Sequence, residues 1–285
     1  MLSKNSFSPR TDMADEAHSL WLGNASDKSE AEGVTAHKSC LNGLELCEIN
    51  ILDGNGEQAI GKARGKYFSL SLPKMFDRGS ETFSAAAEAI AELIKRCCFD
   101  LNGPVLVAAL GNPDITPDAL GNLAASNLLV TAHLDRNEFP QFSDLSVCRP
   151  GVLGTSGIES AAQITAISSL IKPQLLIVID ALAGSDANRL CRCIQISDAG
   201  ISPGSGVGNN RQEISSSILG IPVISIGMPT VIDAGLFGED SFSGMFVTPR
   251  SIDSLVRNGA KLIAYGINLA VHKGISLSDI DALIN

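Results

Sequence analysis

The sequence predicts an α/β protein with a mostly parallel β-sheet covered by helices on both faces and an N-terminal antiparallel hairpin. Two observations lead to this class. Beyond residue 80, segments with apolar residues at helical spacing alternate with short, nearly continuous apolar runs, as in parallel strands buried on both faces. After residue 44 the sequence has neither a linker-like stretch nor an internal repeat, so we predict one domain.

The part of the chain before residue 44 predicts little regular structure. The first 40 residues are polar with little periodicity, and we expect them to be partly mobile and open to proteolytic processing.

Two strand-like runs, residues 44–52 and 59–72, flank Asp53-Gly54-Asn55-Gly56, a sequence typical of a tight turn. Together they predict an antiparallel hairpin.

Helices and strands then alternate along the rest of the chain. Residues 81–98 have helical spacing, and the run PVLVAAL that follows them has the composition of a buried strand. The same patterns predict helices at residues 116–125, 157–171 and 252–273, and strands at residues 127–134 (NLLVTAHL), 174–180 (QLLIVID), 193–198 and 221–227. In such sheets, ligands and catalytic groups collect at the carboxyl ends of the strands.

Composition excludes several classes of function. The net charge of −10 and the absence of a Lys/Arg cluster argue against binding of nucleic acid. No apolar run approaches the roughly 20 residues that span a bilayer. The seven cysteines are scattered and odd in number, and no secretory signal precedes them, so we expect reduced thiols and a cytoplasmic protein that binds no membrane.

Acidic residues follow three of the predicted strands. If these strands are parallel, Asp114 or Asp118, Asp180 and Asp233 meet at one edge of the sheet. Asp118 also fits a purely structural role, because Thr116-Pro117 predicts a helix start whose dipole favours an anion.

Asp180 is the less easily explained carboxylate. It continues an apolar run into the apolar segment ALA, so it is expected to be partly buried, where ionisation is costly without a partner. The alternative is a carboxylate that accepts hydrogen bonds from nearby backbone N–H groups. Two carboxylates in unlike surroundings can activate water as a base and an acid, and the helix start makes Asp118 the better base.

The loop ISPGSGVGNNR, residues 201–211, could present backbone N–H groups to an oxyanion or to a substrate strand. The residues concerned are Gly204, Ser205, Gly206 and Gly208. Its spacing fits neither a phosphate-binding loop nor a dinucleotide fingerprint, so a tight surface turn is the alternative.

Serine and metal chemistry are less favoured. Ser156 and Ser205 both lack the second glycine of a nucleophile elbow, and Ser156 fits a helix N-cap. His133 could join Asp118 and Asp180 around a metal, but no histidine pair has ligand spacing. We expect no metal and no cofactor.

Several long stretches, taken in order, resemble the germination protease family of spore-forming bacteria. They are TPDALG at residues 116–121, NLLVTAHL at 127–134, PGVLGTSGIES at 150–160, IDALA at 179–183, QISDAGISPGSGVGN at 195–209 and GIPVISIGMPTVIDA at 220–234. The resemblance covers the chain from about residue 10 to the closing helix.

The resemblance implies an endopeptidase that degrades small acid-soluble spore proteins during germination. It implies a zymogen, a homotetramer in the cytoplasm of the spore core, and an α/β fold shared with the hydrogenase-maturation proteases. The two essential aspartates of the family fall in TPDALG and IDALA, which carries them onto Asp118 and Asp180.

The resemblance also implies self-processing. RTDMADE, residues 10–16, is similar to the family's propeptide cleavage motif, so Asp12–Met13 is the expected scissile bond, with residues 1–12 as the propeptide and 13–285 as the peptidase domain. Asp15 stands where the family usually has an apolar residue. Ala132 stands where the family commonly has Arg before the histidine. A long insertion that other members carry after TVIDA is absent, which indicates a compact member.

Two alternatives stay open at this point. One is a metal-dependent peptidase of the maturation type, which would use His133 and the aspartates. The other is an inactive α/β module that binds a small molecule or a protein.

Overall fold

A computed structural model describes residues 10–24, 31–74, 76–98, 103–209, 211–237 and 242–284. Within these ranges the strands join into a single sheet. Their bounds are β1 (Val34–Leu41), β2 (Leu44–Ile51), β3 (Gly65–Ser71), β4 (Val105–Ala109), β5 (Leu145–Cys148), β6 (Leu175–Gly184), β7 (Cys193–Ser197), β8 (Val223–Asp233) and β9 (Phe246–Val247).

The sheet has the order β1-β2-β3-β7-β8-β6-β4-β5, with β9 paired to β8. The half made of β8, β6, β4 and β5 is parallel, and β6 lies at its centre. The antiparallel part, β1, β2, β3 and β7, joins this half through β8 and is larger than the predicted hairpin. The α/β class is confirmed, and the parallel half carries the candidate site.

Helices cover both faces of the sheet. Their bounds are α1 (Ala14–Asn24), α2 (Gly54–Ile60), α3 (Glu81–Cys97), α4 (Leu120–Ala125), α5 (Leu153–Ser156), α6 (Ser160–Ile171), α7 (Ser216–Leu219), α8 (Ile252–Val271) and α9 (Leu277–Ile284). Helices α3, α4 and α8 pack on one face in the largest core cluster. On the opposite face, α6 covers β4 and β6, whereas α1 and α2 cover β1 to β3.

The alternation of side chains along β6 shows which face of the sheet carries Asp180. Ile177 and Ile179 point into the core under α3, α4 and α8, and Leu176 and Val178 point toward α6. Because side chains alternate along a strand, Asp180 lies on the α6 side. Residues 11–13, which precede α1, lie against β6 in this region: the N–H of Asp12 donates to the carbonyl of Ala183, and Met13 packs against Leu182.

The Asp53-Gly54-Asn55-Gly56 turn prediction was wrong in its detail. The Asp53 carboxylate accepts hydrogen bonds from the backbone N–H groups of Asn55 and Gly56 and caps α2, so this sequence starts a helix. β2 and β3 do pair as antiparallel strands. The tight turn is Asn42-Gly43, where both residues have positive φ, and it joins β2 to β1, which the sequence did not reveal.

The segment NLLVTAHL is not a strand. Its backbone is hydrogen-bonded to the buried side chain of Asn268 in α8. The NH₂ group of Asn268 donates to the carbonyl of Asn127, and the amide oxygen of Asn268 accepts from the N–H of Leu129. Thr131 donates to the carbonyl of Ser143 and thereby ties the loop to the segment before β5. The strand at the edge of the sheet, paired with β4, is β5, which the sequence did not predict.

The N-terminal 40 residues contain more structure than predicted. α1 escapes notice because three of its four buried residues, Asp15, Glu16 and His18, are polar, so it has no apolar periodicity. Of the expected propeptide 1–12, residues 1–9 lie outside the described ranges. Among the described residues, no helix combines the length and apolarity needed to cross a bilayer.

Candidate active site

Asp180 lies inside β6 and not at its end, contrary to expectation. The strand continues to Gly184 because residues 181–184 stay paired with β8 through a register shift at Leu182 and Ala183. Asp180 is 6% exposed. One of its oxygens accepts a hydrogen bond from the N–H of Ala181. The carboxyl group therefore sits on the face of the sheet, not at its rim.

Two glycines bring Asp118 close to β6. Gly111 turns the chain after β4 with φ +93, and this turn lets the N–H of Asn112 donate to Asp118 Oδ2 at 2.8 Å. Gly121, in the first turn of α4, lies so close to the sheet that a Cβ there would be 2.8 Å from the carbonyl oxygen of Ile179. Asp118 itself ends a short 3₁₀ turn and is half-buried.

The two carboxyl groups interact electrostatically. Burial raises the pKa of Asp180 well above its usual range, and the negative charges of Asp118 and Asp12 raise it further. Burial also raises the pKa of Asp118, while the hydrogen bond from Asn112 opposes that change. Asp180 is thus the more readily protonated of the two, and Asp118 the more readily ionised.

A cleft of about 600 Å³ is lined by four carboxyl groups, one of them that of Glu159, which lies 3.9 Å from Arg211 Nη1. Asp12, Asp118 and Asp180 all line it, along with apolar side chains that include Ile115 and Phe246. Asp12 and Asp180 also line a smaller cavity of about 190 Å³. The cleft can therefore hold an extended chain across the two aspartates.

The chain's own Asp12 occupies this cleft. Its N–H donates to the carbonyl of Ala183 in β6 at 2.8 Å, and the N–H of Ala183 donates back to Asp12 Oδ2 at 2.9 Å. Ser205 Oγ donates to Asp12 Oδ1 at 2.6 Å. Gly206 must lack a side chain here, since a Cβ would overlap the Asp12 carboxylate.

The glycine loop thus holds a carboxylate side chain. Gly204 and Gly208 have φ of +75 and +74, which lets the loop fold tightly around the 3₁₀ turn at 205–207. Its contact with Asp12 is made through the Ser205 hydroxyl, whereas the N–H groups of Ser205 and Gly208 donate within the loop.

The peptide bond between Asp12 and Met13 is enclosed on both sides. Met13 is fully buried among Leu182, Cys193 and Ile201. On the other side, Lys62 Nζ donates to the carbonyl of Thr11 at 2.7 Å, and burial lowers the pKa of this lysine against the opposing effect of Asp12. An apolar pocket and a cation therefore flank the bond.

Gln195 of β7 is a site residue that the sequence did not reveal. Its Nε2 donates to the carbonyl oxygen of Asp12 at 3.1 Å, and its Oε1 accepts from the N–H of Ala14 at 2.7 Å. The available signal was a long polar side chain between two isoleucines in the strand-like run CIQIS.

Asp15 and Glu16 are anchored by Arg189. The Arg189 guanidinium forms an ion pair with the Asp15 carboxylate and lies 4.0 Å from Glu16 Oε1. Glu16 Oε2 also accepts from the N–H and the hydroxyl of Ser185, at 2.6 and 2.9 Å. Asp15, the departure from the family's motif, therefore has a counter-charge in this chain.

Other candidates from the sequence lie elsewhere. Asp114 is exposed, and the carboxylate of Asp233 accepts from the N–H groups of Gly235 and Gly244 in a turn. His133 is exposed in the loop before β5. Within the described part of the chain, His, Cys, Asp and Glu form no group of three or more that could hold a metal ion.

Comparisons with known proteins give consistent matches. A family model described as germination protease matches residues 11–246. The germination protease of Caldanaerobacter subterraneus subsp. tengcongensis is 35% identical over 322 aligned positions, which cover 97% of this chain and 98% of the relative. That of Priestia megaterium is 40% identical over 251 positions, covering 84% of this chain and 68% of the relative.

The first of these alignments is longer than the 285 residues of this chain, so the relative contains residues that this chain lacks. Among solved structures, a [NiFe] hydrogenase maturation protease HycI from Thermococcus kodakarensis matches with a TM-score of 0.37 and 19% identity. That match covers 61% of this chain and 98% of the other.

Asp180→Asn is expected to stabilise the protein at neutral pH. The raised pKa of Asp180 means that, as pH rises above the ordinary carboxyl pKa, the unfolded chain loses this proton before the folded one does. Wild-type stability therefore falls relative to the variant, with a limiting slope of about 1.4 kcal/mol per pH unit. Urea unfolding across pH 4 to 8 measures the difference, with exposed Asp114→Asn as the control. If the difference in free energy of unfolding between Asp180→Asn and the wild type did not shrink as pH falls, the raised pKa of Asp180 would be contradicted.

Arg189→Gln is expected to lower the free energy of unfolding by about 2–3 kcal/mol, because it leaves Asp15 and Glu16 buried without a cation. Arg192→Gln, in the same turn, is the matched control. In a double-mutant cycle, the loss should shrink when Asp15 is changed to Asn. Equal stability of the Arg189 and Arg192 variants would show that the ion pair contributes nothing.

Proposed function

Because the chain belongs to the germination protease family, we propose that it is an aspartate-dependent endopeptidase that cuts its own chain between Asp12 and Met13. The observation that supports this is the position of that bond. The segment around it is hydrogen-bonded to β6, in the cleft that Asp118 and Asp180 both line. A substrate peptide would bind in the same cleft and form the same hydrogen bonds with β6.

Asp118 acts as the base in this proposal. Ionised Asp118 takes a proton from a water molecule, whose oxygen then bonds to the carbonyl carbon of Asp12. Its shallower burial and its hydrogen bond from Asn112 favour the ionised form.

Asp180 acts as the acid. Protonated Asp180 gives its proton to the nitrogen of Met13 as the carbon–nitrogen bond breaks, so the products are a carboxyl group on Asp12 and an amine on Met13. Full burial beside Asp118 favours the protonated form that this step needs. Exchange with solvent restores both groups.

The contacts of residues 11–16 describe the substrate that the cleft prefers. The Ser205 hydroxyl and the N–H of Ala183 select a carboxylate before the scissile bond, and the pocket of Met13 selects an apolar residue after it. Small acid-soluble spore proteins, in the cytoplasm of the spore core, are the proposed substrates. Assembly into a homotetramer stays a prediction from the family resemblance.

Asp118→Asn and Asp180→Asn are each expected to lower peptide cleavage by at least about 10³-fold, because each removes one proton-transfer step. The assay is cleavage of a peptide containing RTDMADE, followed by mass spectrometry, with folding checked by circular dichroism. Asp114→Asn, in the same loop as Asp118, is the matched control and should retain activity.

Full activity in either dyad variant would contradict the mechanism. If the wild-type protein cut neither the peptide nor a spore-protein substrate, the reading as an inactive binding module would replace the peptidase.

A further inference from the structure

Gln195 occupies a defined position relative to Asp180. Gln195 of β7 lies opposite Gly227 of β8, and Gly227 lies opposite Asp180 of β6. Residues directly opposite one another in a sheet share a face, so Gln195 and Asp180 point to the same side with one strand between them. Both also line the cavity of about 190 Å³.

Gly227 keeps the space between these two side chains open. A Cβ at this position would lie 2.6 Å from Leu182 Cγ. A side chain at position 227 would therefore displace Leu182, which forms part of the pocket of Met13. The scissile segment lies over this gap and bonds to β6 on one side and to Gln195 on the other.

The orientation of the Gln195 amide is fixed by its partners. The N–H of Ala14 can only donate, so the atom facing it at 2.7 Å must be the amide oxygen. The NH₂ group must then face the carbonyl oxygen of Asp12, at 3.1 Å. With Gln195 7% exposed, little water competes for this donor.

We propose that Gln195 is a catalytic residue whose amide N–H stabilises the oxyanion formed at the Asp12 carbonyl. As water bonds to the carbonyl carbon, an electron pair moves onto the carbonyl oxygen, and the Nε2–H donates to this negative charge. When the tetrahedral intermediate collapses and the bond to Met13 breaks, the pair returns to form the new carboxyl group. Gln195 neither gains nor loses a proton.

This assignment rests on the proposed function and moves the oxyanion role away from the glycine loop. The loop holds the Asp12 side chain through Ser205, whereas the carbonyl oxygen is contacted by Gln195. A buried, preorganised donor of this kind contributes about 10²–10³-fold to kcat in other acyl-transfer enzymes.

Three substitutions separate stabilisation of the oxyanion from simple anchoring of the substrate. Gln195→Met loses both the donor and the acceptor, whereas Gln195→Glu keeps an acceptor for the N–H of Ala14 and has a donor only while its carboxyl group is protonated. Gln195→Asn keeps the amide but moves it one methylene farther from the Asp12 carbonyl. This variant replaces either of the other two if that variant fails to fold. Gln141→Glu, at an exposed position, is the matched control for the change of charge.

Cleavage of the RTDMADE peptide, with kcat and KM measured separately from pH 6 to 9, tests the proposal. We expect Gln195→Met to lose about 10²-fold or more in kcat and Gln195→Asn to lose most of that, whereas the loss in Gln195→Glu grows relative to the wild type as its carboxyl group ionises and Gln141→Glu matches the wild type. If Gln195→Met kept its kcat and only raised KM, Gln195 would be an anchor only and the proposal would be overturned. A wild-type protein that cuts nothing would instead refute the proposed function.

Discussion

The site is governed by an excess of buried negative charge. Asp12, Asp118 and Asp180 line one cleft, and Asp15 and Glu16 are buried beside it, with Lys62, Arg189 and Arg211 among the nearby cations. Burial raises the pKa of Asp180 well above its usual range, and repulsion by the charges of Asp118 and Asp12 raises it further, which favours protonated Asp180. In the proposed reaction, departure of the Asp12 product relieves this repulsion and favours release of the cleaved end.

The rest of the fold supplies the rigid frame that this arrangement requires. β6 lies at the centre of the parallel half, and Asp180 lies where β6 still pairs with β8, opposite Gly227. Gly111 and Gly121 allow the Asp118 turn to lie close to that strand. The opposite face is covered by α3, α4 and α8, and on the site face Met13 packs against Leu182 of β6 and Cys193 of β7.

The sequence predicted β4, β6 and β8 and the helices that cover them, because these strands are nearly continuous apolar runs. It missed the fourth parallel strand, β5, and predicted a strand at NLLVTAHL that does not form. It also placed Asp118 and Asp180 together, although Asp180 lies within its strand, since pairing with β8 and not composition decides where β6 ends. Gln195 was missed because a lone polar residue in a strand is recognised only when its neighbours across the sheet are known. α1 was missed because it buries Asp15 and Glu16 by pairing them with Arg189, a contact 173 residues or more away in sequence.

In the proposed function, the chain's own Asp12–Met13 bond is held as a substrate in the cleft of the two aspartates. The most direct test is the intact mass of the full-length protein during incubation, with Asp180→Asn incubated in parallel. We expect the wild-type chain to lose residues 1–12 and to begin at Met13, while the variant keeps its full mass. A wild-type chain that remains uncut, or a variant cut at the same bond and at the same rate, would refute self-cleavage by these aspartates.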